Sequence, residues 1–329
     1  MRSEQPYQEA LLVVPRLRVQ GANAISSPMT WGFPSMTAFL GLMDALGRRL
    51  PEGSRLEFRG VGVVCHAFEA QVSVGEHART FRLSRNPHNR NGEPSPIVEE
   101  GRIHLDITLI FLVNLATADA AESARQQLAD QVGQLIAEMR VAGGTVMPVA
   151  SGIVGRAARP RLRVLPDGEE GRRGMFRRMR LSWLPGFVLV SRDDLLREHL
   201  TTLRRTNPGA TRLDAWLDLS RINERAVRIA THESEVGEGV TWEREERTGW
   251  LVPIPVGFAA LSKLYASGEV GNARDTTTPF RFVEAVYSMG QWVSPHRLTD
   301  ANDLLWYRAY DEAAGVYECR NDFALPSAG

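Results

Sequence analysis

The 329-residue chain is 43% hydrophobic and 24% charged, and its 39 basic and 39 acidic side chains cancel, the proportions of an ordinary globular protein. The polar N-terminus and the apolar run 107–116, broken by Asn114, imply neither a signal peptide nor a membrane helix, which needs about 20 apolar residues. Two cysteines, Cys65 and Cys319, neither in a CxxC pair, exclude a cysteine zinc site and argue against a disulfide framework, so a reducing cytoplasmic location is expected. Separately, no metal and no cofactor are expected.

Leu11 to Val14, with Leu17 and Val19, read as a first strand in which Pro15, having no N–H for the ladder, implies a bulge. A polar turn, residues 20–35, follows. From Ser35, a plausible N-cap, Met36, Phe39, Leu40, Met43, Leu46 and Leu50 recur at three- and four-residue spacing and mark a first helix. Residues 56–64 form a second strand. Ile103, Leu105, Ile107, Leu109, Phe111 and Val113 form a third, alternating with His104, Asp106 and Thr108. Between them, residues 73–101 read as one extended hairpin with a polar tip. Asp119 and Glu122 resemble a capping box for a second helix with Leu128, Val132, Leu135, Ile136 and Met139 as its stripe, stopped by Gly143 and Gly144. Residues 145–150 complete the set as a fourth strand.

Strand-helix-strand-strand-helix-strand is the split βαβ order of α+β, ferredoxin-like and RNA-recognition-motif domains, and it is expected to fill residues 1–150. Such a sheet leaves one face open, here carrying His104, Asp106 and Thr108. Its first and third strands offer only Phe111, in the apolar register, so RNA would be held by loops and arginines and not by a stacking platform. Residues 151–329 are expected to form a basic connector, a helical segment and an aromatic-rich C-terminal part packing on the first domain. In chain order these are a strand at 187–190, a helix opened by Ser191 and a helix through Leu213, Trp216, Leu217 and Ile222. An exposed acidic loop at 231–247 and an ordered tail from Trp250 to Arg308 follow.

The charge is informative through its placement. Residues 1–192 hold 24 arginines against 18 acids, and residues 193–329 hold 15 basic side chains against 21 acids. Nine arginines lie between Arg156 and Arg180, among them Arg177, Arg178 and Arg180, against three acids. Arginine forks suit phosphate, and clustering of this kind marks a nucleic-acid surface. A GC-rich source would explain why Lys263 is the only lysine, but not the clustering.

Four smaller constellations add to this. The segment from Asn23 to Ser35, with Ser26 and Ser27, offers amides and hydroxyls to a phosphate, or else is a rigid turn whose Trp31 and Phe33 fold into the core. The tip around Arg85, Asn86, Asn89 and Arg90, with Arg82 and His88, suits phosphates and base edges, as a solvated loop also would. Arg140 precedes Gly143 and Gly144, which permit close backbone approach or cap a helix. Asn272, Arg274, Arg281, His296 and Arg297 line a second nucleic-acid contact or pair with acids such as Asp275 and Glu284. There is no P-loop, GxGxxG, HExxH or GxSxG pattern, so no catalytic residue is assigned. His88 or His104 would supply the acid-base group of the rival reading, an endoribonuclease.

The segments PRLRVQGANAISSPMTWGFPS, GVGVVCHAFEAQ, RNPHNRNG, IVEEGRIHLDITL, MRVAGGTVMP, LPGFVLVSR, GWLVPIPVGF, GEVGNARDTTTPFRFVE and SPHRLTDANDLLWYR, spanning about Leu11 to Arg308, resemble the tail subunits of the type I-F CRISPR surveillance (Csy) complex. The resemblance implies a non-nuclease RAMP-superfamily subunit with a finger-like hairpin that grips the 5′ handle of the crRNA. It also implies a heterodimer with the large Csy subunit and a contact with the backbone subunit nearest the 5′ end, in a ribonucleoprotein serving antiviral defence. Contact with target DNA is left open by it.

Overall fold

The computed structural model describes residues 7–51, 54, 56–76, 78–85, 88, 91–94, 97–116, 121–148, 159–228, 240–245, 247, 249–273 and 275–324. Strand β1 (Tyr7–Asn23) is 17 residues long because slips of register keep its apolar side chains on one face. Leu12 and Val14 face the helices; the pairing slips between Val14 and Leu17, and Leu17 and Val19 resume on the same side. Pro15 and Arg16, the latter at φ 52°, absorb the slip, which is the bulge expected there.

The polar turn contains a small ribbon, β2 (Ile25–Ser27) and β3 (Thr30–Trp31). Ser35 then caps α1 (Met36–Arg49), its Oγ accepting the Thr37 N–H at 3.3 Å. The predicted stripe of α1 is buried from Met36 to Leu46, and Leu50 is the C-cap residue. After β4 (Leu56–Ala70), the predicted extended hairpin is instead two short ribbons. One is β5 (Val72–Val74) with β6 (Arg79–Phe81), the other β7 (Leu83–Arg85) with β8 (Ile97–Glu99). The reason is local: Gly75 N–H bonds Ala78 O, closing the first ribbon early, and Arg82 N–H bonds Gln71 O, turning the chain again.

Strand β9 (Arg102–Ala116) follows, then α2 (Glu122–Ala137), which starts from Ala121 with no side-chain cap. Asp119, proposed for a capping box, lies outside the described residues. The glycine pair does not stop this helix, which ends at Ala137; Gly143 belongs to the turn between β10 (Arg140–Val141) and β11 (Gly144–Val146). Of the predicted fourth strand, residues 145 and 146 lie in β11, while 147 and 148 have already left it and 149 and 150 lie outside the described residues. In the sheet the order is β11-β1-β9-β4, all antiparallel, with α1 and α2 covering the face of Leu105, Ile107, Leu109 and Phe111.

The second half adds β12 (Arg161–Val164), paired with β1, then α3 (Glu169–Met179) and a 3₁₀ turn, Arg180–Trp183. Much of the arginine cluster thus lies on a helix, although the sequence read it as loop: one buried residue, Phe176, stacking edge-on to Trp183 at 5.7 Å, anchors the helix. Strand β13 (Phe187–Ser191) leads into α4 (Asp193–Thr206), whose N-cap is Arg192 and not Ser191, since Ser191 still belongs to the strand, paired with Gly290 of the neighbouring strand. Helix α5 (Arg212–Ser220) ends before Ile222 and packs on α4 and Met289 through Trp216, whose Nε1–H donates to Ser288 O at 3.0 Å. Strands β14 (Glu224–Arg228) and β15 (Val240–Arg244) form an exposed ribbon where part of a loop was expected. The tail supplies β16 (Trp250–Ala260), β17 (Val283–Val293), a 3₁₀ turn at Pro295–Arg297, β18 (Trp306–Asp311) and β19 (Val316–Asn321). The fold is α+β, with an 11-stranded sheet and five helices among the described residues.

Strand β4 decides how the two halves meet. β9 takes one of its edges; on the other, Val64 and Cys65 pair with β13 and Val61 pairs with β18. Because β13-β17-β16-β19-β18 are joined in that order, the six strands close into a ring. Trp306 is fully buried, with its Nε1–H on Leu189 O at 2.9 Å. The chain just before it crosses β4, which is why β4 reads Gly-Val-Gly: a Cβ on Gly62 would lie 1.9 Å from Leu304 Cδ1, and one on Gly60 2.8 Å from the Tyr307 ring. This crossing corrects the expectation of an open sheet face. Leu11, Val64, Ile110 and Leu112 are buried there under Phe176, Trp183, Leu298, Leu304 and Leu305. Trp306→Ala should destabilise the protein by about 3–5 kcal/mol, the range for deleting a buried aromatic, measured by urea unfolding.

Candidate functional site

Part of the face expected to be open does carry His104, Asp106 and Thr108, but as a hydrogen-bonded relay. The left-handed Arg16 donates its N–H to Thr108 Oγ1 at 3.2 Å and its Nη1–H to Asp106 Oδ2 at 3.1 Å. Thr108, 2% exposed, meets His66 Nε2 at 2.8 Å, while His66 Nδ1 meets Pro185 O at 2.7 Å. A carbonyl only accepts, so Nδ1 holds the proton and Nε2 accepts the Thr108 hydroxyl. Nearby, His104 Nδ1 accepts the Gly21 N–H at 3.0 Å. These groups lock the β1 bulge to β9, β4 and the turn before β13.

A cleft of about 480 Å³ gathers four of the predicted residues: Asn23, Ser26, Arg140 and Gly143. Asn23 is pinned on Ile25 by two hydrogen bonds, at 2.8 and 3.1 Å, and Ser26 Oγ lies 2.8 Å from Thr30 Oγ1. Arg140 Nη1 donates to Gly143 O at 3.1 Å. Ala142 and Gly143 both have positive φ, 48° and 80°, as a two-residue type I′ turn requires, and Asn23 N–H bonds Ala142 O at 2.9 Å. The opposite wall is α1, including Thr37, Gly41 and Ala45. Gly41 costs its helix about 1 kcal/mol relative to alanine. It went unnoticed in the sequence, although a glycine inside a helical pattern was the available signal. Ser27 and Gly144 do other work: Ser27 Oγ holds Thr30 at 2.6 Å inside the turn, and a Cβ on Gly144 would sit 2.7 Å from Ala22 N.

A second group lies on the far face. The turn Pro295–Arg297 packs against the 3₁₀ turn after α3, and Arg180 donates to Leu298 O, so His296 and Arg297 neighbour the arginine helix. Some of these arginines are neutralised: Arg172 by Glu9 at 2.6 Å, Arg173 by Glu169, and Arg159 by Asp130 at 2.5 Å. Arg159 holds the Asp130 carboxyl below its usual value. Arg177, Arg178 and Arg297 are exposed and form no ion pair among the described residues. His296 Nδ1 lies 2.8 Å from Ser294 Oγ.

The remaining predicted residues lie elsewhere. Asn272 is exposed in a left-handed turn, and Arg281 reaches Tyr310 Oη at 3.4 Å, both on the segment between β16 and β17. Arg85 is placed in β7 by its backbone alone, and Asn86, Asn89, Arg90 and Arg274 lie outside the described residues. Trp31, which a rigid turn would fold into the core, is instead exposed and edge-on to Phe81 at 5.6 Å, and the exposed pair Phe187 and Trp250, edge-on at 5.8 Å, was not singled out in the sequence. No group of three His, Cys, Asp or Glu side chains able to hold a metal occurs among the described residues. Among them, too, no helix is long and apolar enough to cross a membrane.

Burial, above all, lowers the His66 pKa from its ordinary 6.5; the nearby Arg16 acts in the same direction, and the Pro185 carbonyl and Asp106 oppose it. The unfolded chain therefore takes up this proton first as pH falls. The contribution of His66 is complete above about pH 6.5 and drains as pH drops through that value towards its folded pKa. Urea midpoints measured across that window should fall for the native chain and fall less steeply for His66→Gln.

Comparison with known proteins shows what this arrangement is similar to. A family model described as "CRISPR-associated protein (Cas_Csy2)" matches residues 12–319. The protein of Pseudomonas aeruginosa (strain UCBPP-PA14) named "CRISPR-associated protein Csy2" is 47% identical over 311 residues, covering 94% of each chain.

Proposed function

The chain belongs to the Csy2 family of CRISPR-associated proteins, and from that premise we propose that it is a non-catalytic RNA-binding subunit of the type I-F surveillance complex. It holds the 5′ handle of the crRNA, pairs with the large Csy subunit as a heterodimer, abuts the backbone subunit nearest the 5′ end and works in the cytoplasm in antiviral defence. The observation that carries the RNA reading is that Arg177 and Arg178 on α3, beside His296 and Arg297, are exposed and have no ion-pair partner among the described residues. In a chain of zero net charge, cations left without acidic partners are the ones available to phosphate. The order β11-β1-β9-β4 supports a ferredoxin-like core, since by position in the split βαβ unit it reads fourth, first, third and second strand. Recognition by such a subunit is of backbone and splayed bases, while the guide itself reads the target by pairing.

Replacing Arg177 and Arg178 with alanine in the purified complex or full chain should weaken binding of repeat-derived RNA on the order of tenfold. It should also flatten the salt dependence by about 1.4 in log–log slope, for two lost phosphate contacts on a single strand. Filter binding across a salt series measures both, and unchanged affinity removes this face from the proposal. Cleavage of the RNA, abolished by His88→Ala or His104→Ala, would replace the proposal with the endoribonuclease reading.

A further inference from the structure

We infer that the cleft between α1 and the β10–β11 turn receives one unpaired RNA nucleotide, its base against the helix and its phosphate on Arg140; this rests on the RNA-binding reading above. The first observation is Gly41. Neither a positive φ nor a close neighbour requires glycine there: a Cβ would meet nothing within 4 Å. The glycines of β4, by contrast, are each forced by an atom overhead. Gly41 lies on the wall of the cleft, and what its missing side chain leaves is a flat strip of helix.

The lining matches a nucleotide part by part. Leu42 and Met139, only 4% and 8% exposed, make with Ala45 an apolar floor suited to the face of a base. Ser26, Thr37 and Asn23 set polar groups around it, each already oriented by a bond to its own turn. Arg140 is the one charged residue of the lining, and no carboxylate accompanies it. Its guanidinium is steadied by a single N–H on Gly143 O, which leaves the rest of the fork for an anion. The volume, about 480 Å³, falls in the range of about 300–1,000 Å³ that small-molecule sites occupy. A bare phosphate would leave the apolar floor uncovered, and an apolar side chain would leave Arg140 and the hydroxyls unanswered.

The test compares native protein with Gly41→Phe and Arg140→Gln, using a short single-stranded repeat-derived RNA and versions of it made abasic at one position at a time. For native protein, one abasic position should weaken binding about fivefold to a hundredfold, the range for losing one stacked base. Gly41→Phe should bind intact RNA more weakly by a similar factor and show no further loss with that abasic RNA, while Arg140→Gln should lose affinity for both. Gly41→Ala, whose methyl meets open space, should melt at a higher temperature than native protein, showing that the position tolerates a side chain. If Gly41→Phe binds intact RNA as native protein does, or disturbs only assembly with other subunits, the cleft is not a nucleotide site. If RNA affinity responds to Arg177 and Arg178 but to neither cleft substitution, this inference alone falls; if native protein binds none of the RNAs, the RNA reading falls with it.

Discussion

Strand β4 has three neighbours, because β13 and β18 divide between them the edge that β9 does not use. Backbone N–H and C=O groups at a sheet edge need partners, and here a single strand is finished by two pieces of chain far apart in sequence. The ring that results buries Trp306 and brings the stretch before it across the second face of the sheet. That stretch, in turn, gives Phe176 and Trp183 something to pack on, which is what holds α3 and its arginines in place. The position of the basic face is thus a consequence of backbone pairing some distance away.

The charge pattern then sorts into structural and available cations. Arginines at 159, 172 and 173 are taken by acids, so their role in any anion site is reduced. Those at 177, 178 and 297 are exposed around the 3₁₀ turns without such partners among the described residues. Counting arginines along the sequence could not separate these sets, because Glu9 pairs with Arg172 across 163 residues of chain.

Local signals were legible. Alternation in β9, the Ser35 cap, the α1 stripe and the Pro15 bulge all depend on neighbours within a turn or a pleat, and the family resemblance rested on strings of the same kind. Long-range covering was not. The Gly60 and Gly62 pair recorded that something crosses β4, but not that residues 304–307 do so. Gly171 and Gly174 disguised α3, which is amphipathic around one buried phenylalanine and would be marginal as an isolated helix. The cleft escaped for a similar reason: its walls, 37–45 and 139–143, are helix and hairpin, adjacent only once β11 pairs with β1.

Ring closure by the last strands has a consequence for synthesis. Until β18 and β19 have left the ribosome, the nascent chain has an unfilled position beside β4, flanked by Leu56–Val64 apolar side chains with no lid. Unpaired edges of this sort recruit foreign strands, and contacts between distant segments form slowly. The molecule is therefore most vulnerable to aggregation until β18 and β19 have been made, and deleting those two strands would make that vulnerability permanent.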